Sequence, residues 1–427
     1  MELYLHIPFC VKKCDYCDFL SGPADDQAKR AYFEAMKREI RYMGRWWRDR
    51  WTEGAAGREC EMADPSELPG VRSIFFGGGT PSLPEAEEIA GLMEILRESF
   101  SIKNGAEITL ECNPGTVTEE KLHIYKQCGI NRLSIGLQSA DEEELRTLGR
   151  IHTYDQFLET YAKARKAGFS NISVDLMEGL PGQTWQKLSA TLEKVAALGP
   201  EHISLYSLII EEGTPFYERY QKDVEKREEG LPTEALPDED AEYDLARRSA
   251  DFLEEHGYHQ YEISNYARGG FACRHNVGYW RRIPYLGFGV GAASLALGRR
   301  WNNLRDQKTY TELCGKWKSW GDTSPLWDQM TELSDQDAME EFMFLGLRMR
   351  EGVSMETFEN MFARPMVEVY GDVLERLKEL GLLEKVERCG WRGLTSRESG
   401  RIGGIMGTRK TAERKRTEAD KADRVDT

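Results

Sequence analysis

Three cysteines within eight residues constrain this chain more than any other feature of its sequence. Cys10, Cys14 and Cys17 follow a short β-rich run with the spacing CxxxCxxC, and the other six cysteines are scattered. In a reducing compartment such clustering favours a metal centre over disulfide bonds. Iron–sulfur clusters normally take four thiolates, so three thiolates on one loop leave one iron open to another ligand. The spacing therefore predicts a [4Fe–4S] cluster with an accessible iron.

A structural zinc site is the alternative reading of the same loop. The three cysteines and His6 would supply a Cys₃His ligand set, and three ordinary buried thiols are a further possibility. Zinc sites usually pair a CxxC with a second, distant pair of ligands, and this chain shows no such second pair. The spacing favours the cluster.

Short β-rich runs alternate with helical patterns through the first half of the chain, which is the order that a parallel sheet requires. Six strands are predicted, at Tyr4–Ile7, Ser73–Phe76, Glu107–Cys112, Arg132–Gly136, Asn171–Leu176 and His202–Leu208. Six βα units are fewer than a closed TIM barrel has. The predicted fold class is α/β, a partial (β/α)₆ TIM-like barrel followed by a small, mostly helical C-terminal domain.

A chain of 427 residues exceeds what one hydrophobic core usually supports, so more than one unit is expected. We expect the partial barrel to occupy residues 1–215, with a surface insertion at 44–70 that carries tryptophans among charges. A polar linker and an aromatic region follow at 216–325, and a helical or winged-helix domain at 326–400. The tail 401–427 is charged and almost without large apolar groups, which predicts disorder.

The overall charge and hydropathy restrict the partners. A formal net charge of −16 repels phosphate backbones and anionic headgroups, so no nucleic-acid partner is expected. No stretch approaches the roughly 18 uninterrupted apolar residues of a transmembrane span. The N-terminus lacks a basic segment followed by an apolar one, so no secretory signal is expected. These features predict a cytoplasmic protein.

Glycines and polar residues stand at the ends of the later strands, where parallel strands of a barrel meet at one mouth. They are Gly78, Gly79 and Thr80 after the second strand, Glu111 and Gln138 at the ends of the third and fourth, and Asp175 in the fifth. Each alone could be a hydrogen-bonded core residue. Their common position predicts that they converge with the cysteine loop.

The motif CxxxCxxC with an aromatic residue, Tyr16, before its third cysteine resembles the radical S-adenosylmethionine (SAM) superfamily. The resemblance implies that Cys10, Cys14 and Cys17 hold the cluster and that SAM binds the open iron. It also implies SAM contacts at nine positions: Tyr4, Tyr16, Gly78, Gly79, Thr80, Glu111, Gln138, Arg150 and Asp175.

Within the superfamily, several segments resemble the oxygen-independent coproporphyrinogen III dehydrogenase family. They are Tyr4–Phe19, Gly77–Pro81, Gly179–Thr184 and Tyr261–Tyr266. True dehydrogenases of this family carry CxxxCxxCxC and a long N-terminal extension. Position 19 is Phe here, and the chain starts only a few residues before the first strand. Both departures favour the heme-chaperone branch of the family.

A further motif, HNxxYW, agrees with that branch at His275, Asn276, Tyr279 and Trp280. The resemblance implies a heme-binding protein that delivers heme to apo-proteins and needs an electron donor for its cluster. His275 is the predicted axial ligand of the heme, with Cys273 as a rival. The alternative is an enzyme that oxidatively decarboxylates coproporphyrinogen III, which Phe19 in place of the extra cysteine makes doubtful.

Overall fold

Six parallel strands, each followed by at least one helix, form the first part of the fold. The structure is a computed structural model and describes residues 1–52, 69–316, 324–386 and 390–393. The strands are β1 (Glu2–Ile7), β2 (Val71–Gly78), β3 (Ile102–Cys112), β4 (Arg132–Gln138), β5 (Ile172–Glu178) and β6 (His202–Ser207). The helices are α1 (Asp26–Thr52), α2 (Ala86–Ser99), α3 (Glu119–Gln127), α4 (Glu142–Thr147), α5 (Tyr154–Lys166), α6 (Trp185–Leu198) and α7 (Pro215–Glu228). The predicted partial (β/α)₆ barrel is confirmed.

Six later strands extend this sheet on both sides. They are β7 (His259–Glu262), β8 (Asn265–Ala267), β9 (Tyr285–Phe288), β10 (Ala293–Ala296), β11 (Arg299–Asn303) and β12 (Trp327–Glu332), accompanied by α8 (Glu239–Glu255), α9 (Arg274–Trp280) and α10 (Gln307–Lys316). The strand order is β12-β11-β10-β9-β1-β2-β3-β4-β5-β6-β8-β7. β9 runs parallel to β1, whereas β8 runs antiparallel to β6. The strand that precedes the cysteine loop therefore lies inside the sheet.

Side-chain caps explain where several of these helices begin. Thr118, Thr153 and Thr184 each accept a hydrogen bond from a backbone N–H of the first helical turn. The buried faces of the helices and the outward-facing strand residues, such as Leu3, Leu5 and Ile7, form one continuous core. The core holds the strands in register, so the ends of all six parallel strands meet at one mouth.

The expected insertion at residues 44–70 needs a correction. α1 continues to Thr52, and Trp46 and Trp47 are buried in the main core. Met36, Ile40, Met43 and Trp47 recur every three or four residues, which is the spacing of one helix face. Residues 53–68 of this expected insertion lie outside the described residues.

The C-terminal region has its own small core and its own sheet. It contains α11 (Asp335–Gly346), β13 (Val353–Ser354), α12 (Met355–Phe362), α13 (Met366–Glu379), β14 (Leu383–Val386) and β15 (Gly390–Gly393). The strands pair in the antiparallel order β13-β15-β14. Phe342, Phe358 and Trp391 are among its buried residues. Three helices with a small sheet agree with the predicted helical character.

The chain divides into two compact units at boundaries that differ from the expected ones. One unit contains Met1–His259, Ser264–His275 and Pro284–Glu332. The other contains Gln260–Ile263, Asn276–Ile283 and the described residues from Leu333 onward. Most of the region 216–325 thus belongs to the barrel unit, because β8 to β12 extend its sheet. The tail 401–427 lies outside the described residues, as do Cys60 and Cys389. No helix in the described part of the chain is long and apolar enough to cross a membrane.

Candidate active site at the barrel mouth

The cysteine loop follows β1 and is fixed at its two ends by backbone hydrogen bonds. Gly22 N–H donates to Pro8 O over 2.9 Å, and Cys10 N–H donates to Gly22 O over 3.0 Å. Within the loop, Cys17 N–H donates to Cys14 O over 3.2 Å and closes a tight turn. The three thiols are free and partly exposed. The loop therefore offers three sulfur ligands from one short, anchored segment.

The glycines after β2 bring a second backbone segment against this loop. Gly79 N–H donates to Ile7 O, and Thr80 N–H donates to Phe9 O, each over 2.8 Å. A Cβ atom at Gly79 would lie 2.8 Å from Phe9 O and 2.9 Å from Cys10 Sγ, so only glycine fits there. The Thr80 hydroxyl donates to Cys10 Sγ over 3.6 Å. The predicted convergence of the glycine run with the first cysteine is present.

Two carboxylates stand on the same face of the sheet, Glu111 on β3 and Asp175 on β5. Gly78 N–H donates to Glu111 Oε2 over 3.1 Å, and Ser134 Oγ donates to the Asp175 carboxylate over 3.0 Å. Burial, followed by the nearby charge of Asp175, raises the pKa of Glu111 to about 8. A buried carboxyl group whose ionised form is disfavoured by burial and by a nearby negative charge is stabilised by a cation bound beside it.

Arg150 supplies a positive group at the same mouth. Its Nη1 donates to Cys14 Sγ over 3.6 Å, and its Nη2 donates to Asn113 Oδ1 over 2.7 Å. Asn113 Nδ2 in turn donates to Thr80 Oγ1 over 2.7 Å. Arg150 Nε has no hydrogen-bond partner among the described residues. A hydrogen-bonded chain thus runs from the second cysteine to the threonine beside the first.

Gln138 ends β4 in a backbone conformation that is unusual for its residue type. Its φ is 72°, in the left-handed region, and the pairing with β5 shifts between Gly136 and Gln138. A Cβ atom at Gly136 would lie 3.0 Å from both Asn113 Oδ1 and Gln138 Nε2. Such irregular strand ends re-aim side chains and cluster at functional sites. Sequence reasoning did not single out Asn113, although it follows β3 directly and obeys the same strand-end rule as Glu111.

The predicted tyrosines lie at two different places around the mouth. Tyr4 Oη donates to His6 Nδ1 over 3.1 Å. Tyr16 meets the ring of Phe216 nearly edge-on, with the ring centroids 6.3 Å apart. Burial is the largest cause that raises the pKa of both tyrosines, so both are neutral phenols at physiological pH.

Exposure distinguishes the predicted SAM contacts from their neighbours on the strands. Most strand residues are buried, whereas these residues are partly accessible to solvent: Tyr4, Tyr16, Gly78, Gly79, Glu111, Gln138, Arg150 and Asp175. Thr80 is the buried member of the predicted set. Partly exposed glycines, carboxylates and a guanidinium beside three free thiols fit a [4Fe–4S] cluster with a small zwitterionic ligand such as SAM. The donor set therefore agrees with the predicted cofactors.

The imidazole of His6 makes hydrogen bonds within the protein through both ring nitrogens. Its Nε2 lies 2.8 Å from Leu20 O and must donate to it, so Nδ1 accepts from Tyr4. Both ring nitrogens are thus engaged, which removes the fourth ligand of the alternative zinc site. Among the residues that the structure describes, no three His, Cys, Asp or Glu side chains form a site for a single metal ion.

His275 occupies a position that differs from that of an accessible heme ligand. It is 1% exposed, its Nδ1 lies 2.9 Å from Ser73 Oγ, and its backbone N–H donates to Glu107 Oε1. Its ring stacks on Phe75, and burial lowers its pKa to about 3. The rival Cys273 is equally buried, and its thiol donates to Glu107. Heme ligation by His275 would require this segment to leave the barrel interior, and it stays a prediction.

The His275→Ala variant tests which of these roles applies. We expect it to lower the free energy of unfolding of the cluster-free protein by about 2–4 kcal/mol, because it leaves a cavity and removes the buried contact between the imidazole and the Ser73 hydroxyl. Urea unfolding measures the change, and His123→Ala, which removes an exposed imidazole on α3, is the control. Unchanged stability together with a lost heme Soret shift would instead assign His275 to heme.

Comparison with known proteins agrees with both the barrel and the C-terminal unit. Residues 4–195 match the model of the radical SAM superfamily, and residues 333–389 match that of the HemN C-terminal domain. Among solved structures, coproporphyrinogen III oxidase HemN from Escherichia coli aligns with a TM-score of 0.73 and 22% identity. That alignment covers 95% of this chain and 88% of HemN, and it supports the fold.

Curated relatives match at higher identity. The heme chaperone HemW of Bacillus subtilis is 35% identical over 386 residues, which cover 90% of this chain and 93% of the relative. HemW of Escherichia coli is 37% identical over 298 residues, covering 68% of this chain and 69% of the relative. A mitochondrial radical SAM domain-containing protein 1 of Danio rerio is 32% identical over 409 residues, covering 93% and 85%. Identity at this level over nearly the whole length shows that the chain belongs to the HemW family of radical SAM proteins.

Proposed function

We propose that this protein is a cytosolic heme chaperone that keeps a [4Fe–4S] cluster and SAM at its barrel mouth, binds heme and passes it to apo-proteins. The relatives at 33–37% identity carry the name heme chaperone HemW. The observation that carries the proposal is Phe19, which is 67% exposed on the cysteine loop where the dehydrogenase branch has an additional cysteine. An exposed phenyl ring cannot ligate iron, so the loop keeps only the three thiols that the cluster needs.

Different residues at the barrel mouth would bind the cluster and SAM. Cys10, Cys14 and Cys17 would ligate three irons, while Thr80 and Arg150 donate hydrogen bonds to two of the sulfurs. When bound, a reduced cluster and SAM supply the one-electron cleavage of the SAM sulfonium. Such a reduction needs an external electron donor.

The carboxylates and glycines serve the small ligand. Asp175, together with Glu111 in its ionised form, would offer negative charge to the amino group and sulfonium of SAM, which are cationic. The backbone at Gly78 and Gly79 leaves room for close approach, because no side chain projects from it. The proposal therefore assigns cofactor binding to the mouth and leaves the heme-contacting residues to experiment.

Anaerobic reconstitution followed by heme titration tests the proposal. We expect saturable heme binding, seen as a shifted Soret band, and faster heme transfer to an apo-cytochrome b than from free heme in buffer. A heated, unfolded sample of the same chain serves as the control for adventitious heme. Failure to bind heme, combined with conversion of coproporphyrinogen III to protoporphyrinogen IX by SAM and a reductant, would assign the dehydrogenase activity instead.

A further inference from the structure

The turn that carries the second and third cysteines is held from outside by helix α7. Phe216 N–H donates to Asp15 O over 3.0 Å, and Arg219 Nη2 donates to the Asp15 carboxylate over 2.8 Å. The ring of Phe216 also meets the ring of Tyr16. Both residues between Cys14 and Cys17 are therefore attached to one helix.

The segment after α4 holds the same turn from another side. Asp15 N–H donates to Leu148 O over 3.2 Å, and Arg219 Nη1 lies 3.5 Å from Thr147 O. Gly149 has a φ of 71°, and a Cβ atom there would lie 2.6 Å from Asp15 Oδ1. Only glycine at position 149 therefore leaves space for the Asp15 carboxylate in this orientation.

An apolar cluster separate from the main core supports this arrangement. Its buried residues are Leu148, Met177, Leu180, Leu208, Phe216 and Leu236, and Tyr16 packs against them. The chain beyond α7 is fixed as well, because the Asp223 carboxylate accepts three backbone N–H groups, of residues 234 to 236. These contacts make α7 a firm support for the cysteine turn.

Helix α7 brings two sources of positive charge close to the Cys14–Cys17 turn, its N-terminus and Arg219. Thr214 caps the helix and Pro215 occupies its first turn, so the Phe216 N–H is one of the free donors at its positive end. Arg219 adds a full positive charge, and the Arg219 and Asp15 side chains are 46% and 22% exposed. An iron–sulfur cluster with thiolate ligands becomes more negative on reduction, so nearby charge changes its reduction potential.

We infer that the Asp15–Arg219 pair is a positioning device for the Cys14–Cys17 turn and that its charge balance sets the reduction potential of the cluster. The inference rests on the cluster of the proposed function. Arg219 acts through Asp15 and does not touch the thiols, so it is a positioning residue. Since the pair is partly exposed, its contribution to folding is small, and variants of it should fold.

Three variants distinguish an electrostatic effect on the reduction potential from a general disruption of the cysteine turn. Asp15→Asn leaves Arg219 without its counter-charge, so reduction becomes easier and the midpoint potential rises. Arg219→Gln leaves Asp15 uncompensated, so the potential falls. The double variant removes both charges and should return close to the natural value. At a fixed solution potential, each single variant should change the ratio of reduced to oxidised cluster by about three- to tenfold, or about 30–60 mV for one electron.

Redox titration followed by electron paramagnetic resonance measures these shifts on the reconstituted full chain. Lys222→Gln removes an exposed charge from the same helix and should leave the potential within twofold of the natural ratio. Shifts of the same sign in both single variants, or no shift in either, would overturn the inference. If Arg219→Gln assembles no cluster, the sign of the Asp15→Asn shift decides alone. Absence of iron and sulfide from the natural sequence would instead refute the proposed function.

Discussion

Anaerobic reconstitution of Cys10→Ala should yield almost no iron and no inorganic sulfide, whereas the natural sequence should take up about four of each per chain. Cys10 stands where the backbone bonds to Gly22 begin the loop, and the Thr80 hydroxyl and the Gly79 backbone lie against its sulfur. No neighbouring side chain of the described loop can replace this thiol. Iron and acid-labile sulfide analysis, with the absorbance of the brown sample, measures the outcome.

Cys128→Ala is the matched control for this experiment. Cys128 follows α3, and its thiol donates to Tyr125 O over 3.2 Å, far along the chain from the cysteine loop. The variant should keep the full iron and sulfide content. Equal losses in both variants would show that the three-cysteine loop is not the cluster site.

Replacing Glu111 by glutamine should weaken SAM binding by about 10–100-fold above pH 8, where the natural carboxylate is ionised. Below that pH the natural residue is increasingly protonated, so its SAM affinity should fall towards that of the variant. The difference between the two proteins therefore grows as the pH rises through about 8. Calorimetric SAM titrations at several pH values measure it.

The Glu111 carboxyl group should also make the folding stability depend on pH. SAM binding strengthens as the pH rises through about 8, whereas the contribution of Glu111 to folding stability decreases. Its pKa in the folded protein, about 8, is raised above the ordinary value of 4.5. The folded state then binds the proton more tightly, so this stabilising contribution is complete below pH 4.5 and is lost as the pH rises through about 8. Relative to the natural sequence, Glu111→Gln should therefore gain stability in the cluster-free protein as the pH increases.

Two further variants make the Glu111 experiment decisive. Asp175→Asn removes a charge that raises the pKa of Glu111, so the pH at which SAM binding strengthens should move lower. Glu119→Gln, an exposed carboxylate on α3, should change neither affinity nor pH dependence. A pH profile that stays identical in Glu111→Gln would contradict the assigned role of this residue.

The alternation of β-rich runs and helical patterns predicted all six parallel strands, because buried strands and amphipathic helices leave strong local signals. The position of Glu111, Gln138 and Asp175 at one end of the sheet also follows from the sequence, since parallel strands end at one mouth. Their role in binding stays a prediction. The sequence patterns did not predict the pairing of β9 with β1 or the hydrogen bonds that link Arg150, Asn113 and Thr80. Those depend on contacts between residues distant in sequence, which periodicity does not record.

The start of helix α7 carries a local sequence signal for a helix. The sequence predicts a polar linker from residue 216 onward, and the structure has a 14-residue helix at Pro215–Glu228. Thr214 followed by Pro215 is a favourable N-cap and first-turn pair. His275 illustrates the opposite case, because a motif match indicates a residue's importance without indicating whether solvent or a core surrounds it.

The strand β1 has hydrogen-bonded neighbours along both edges, β2 on one side and β9 on the other. During translation, β9 is synthesised long after β1. One edge of β1 therefore lacks its hydrogen-bonding partner until most of the chain has been made. Val290 then donates to Tyr32 Oη, which itself donates to His6 O just before the cysteine loop. The full set of hydrogen bonds around β1, the strand that leads into the cysteine loop, therefore forms only once β9 is present. A chain that ends before β9 would leave one edge of β1 unpaired, and unpaired strand edges are templates for aggregation.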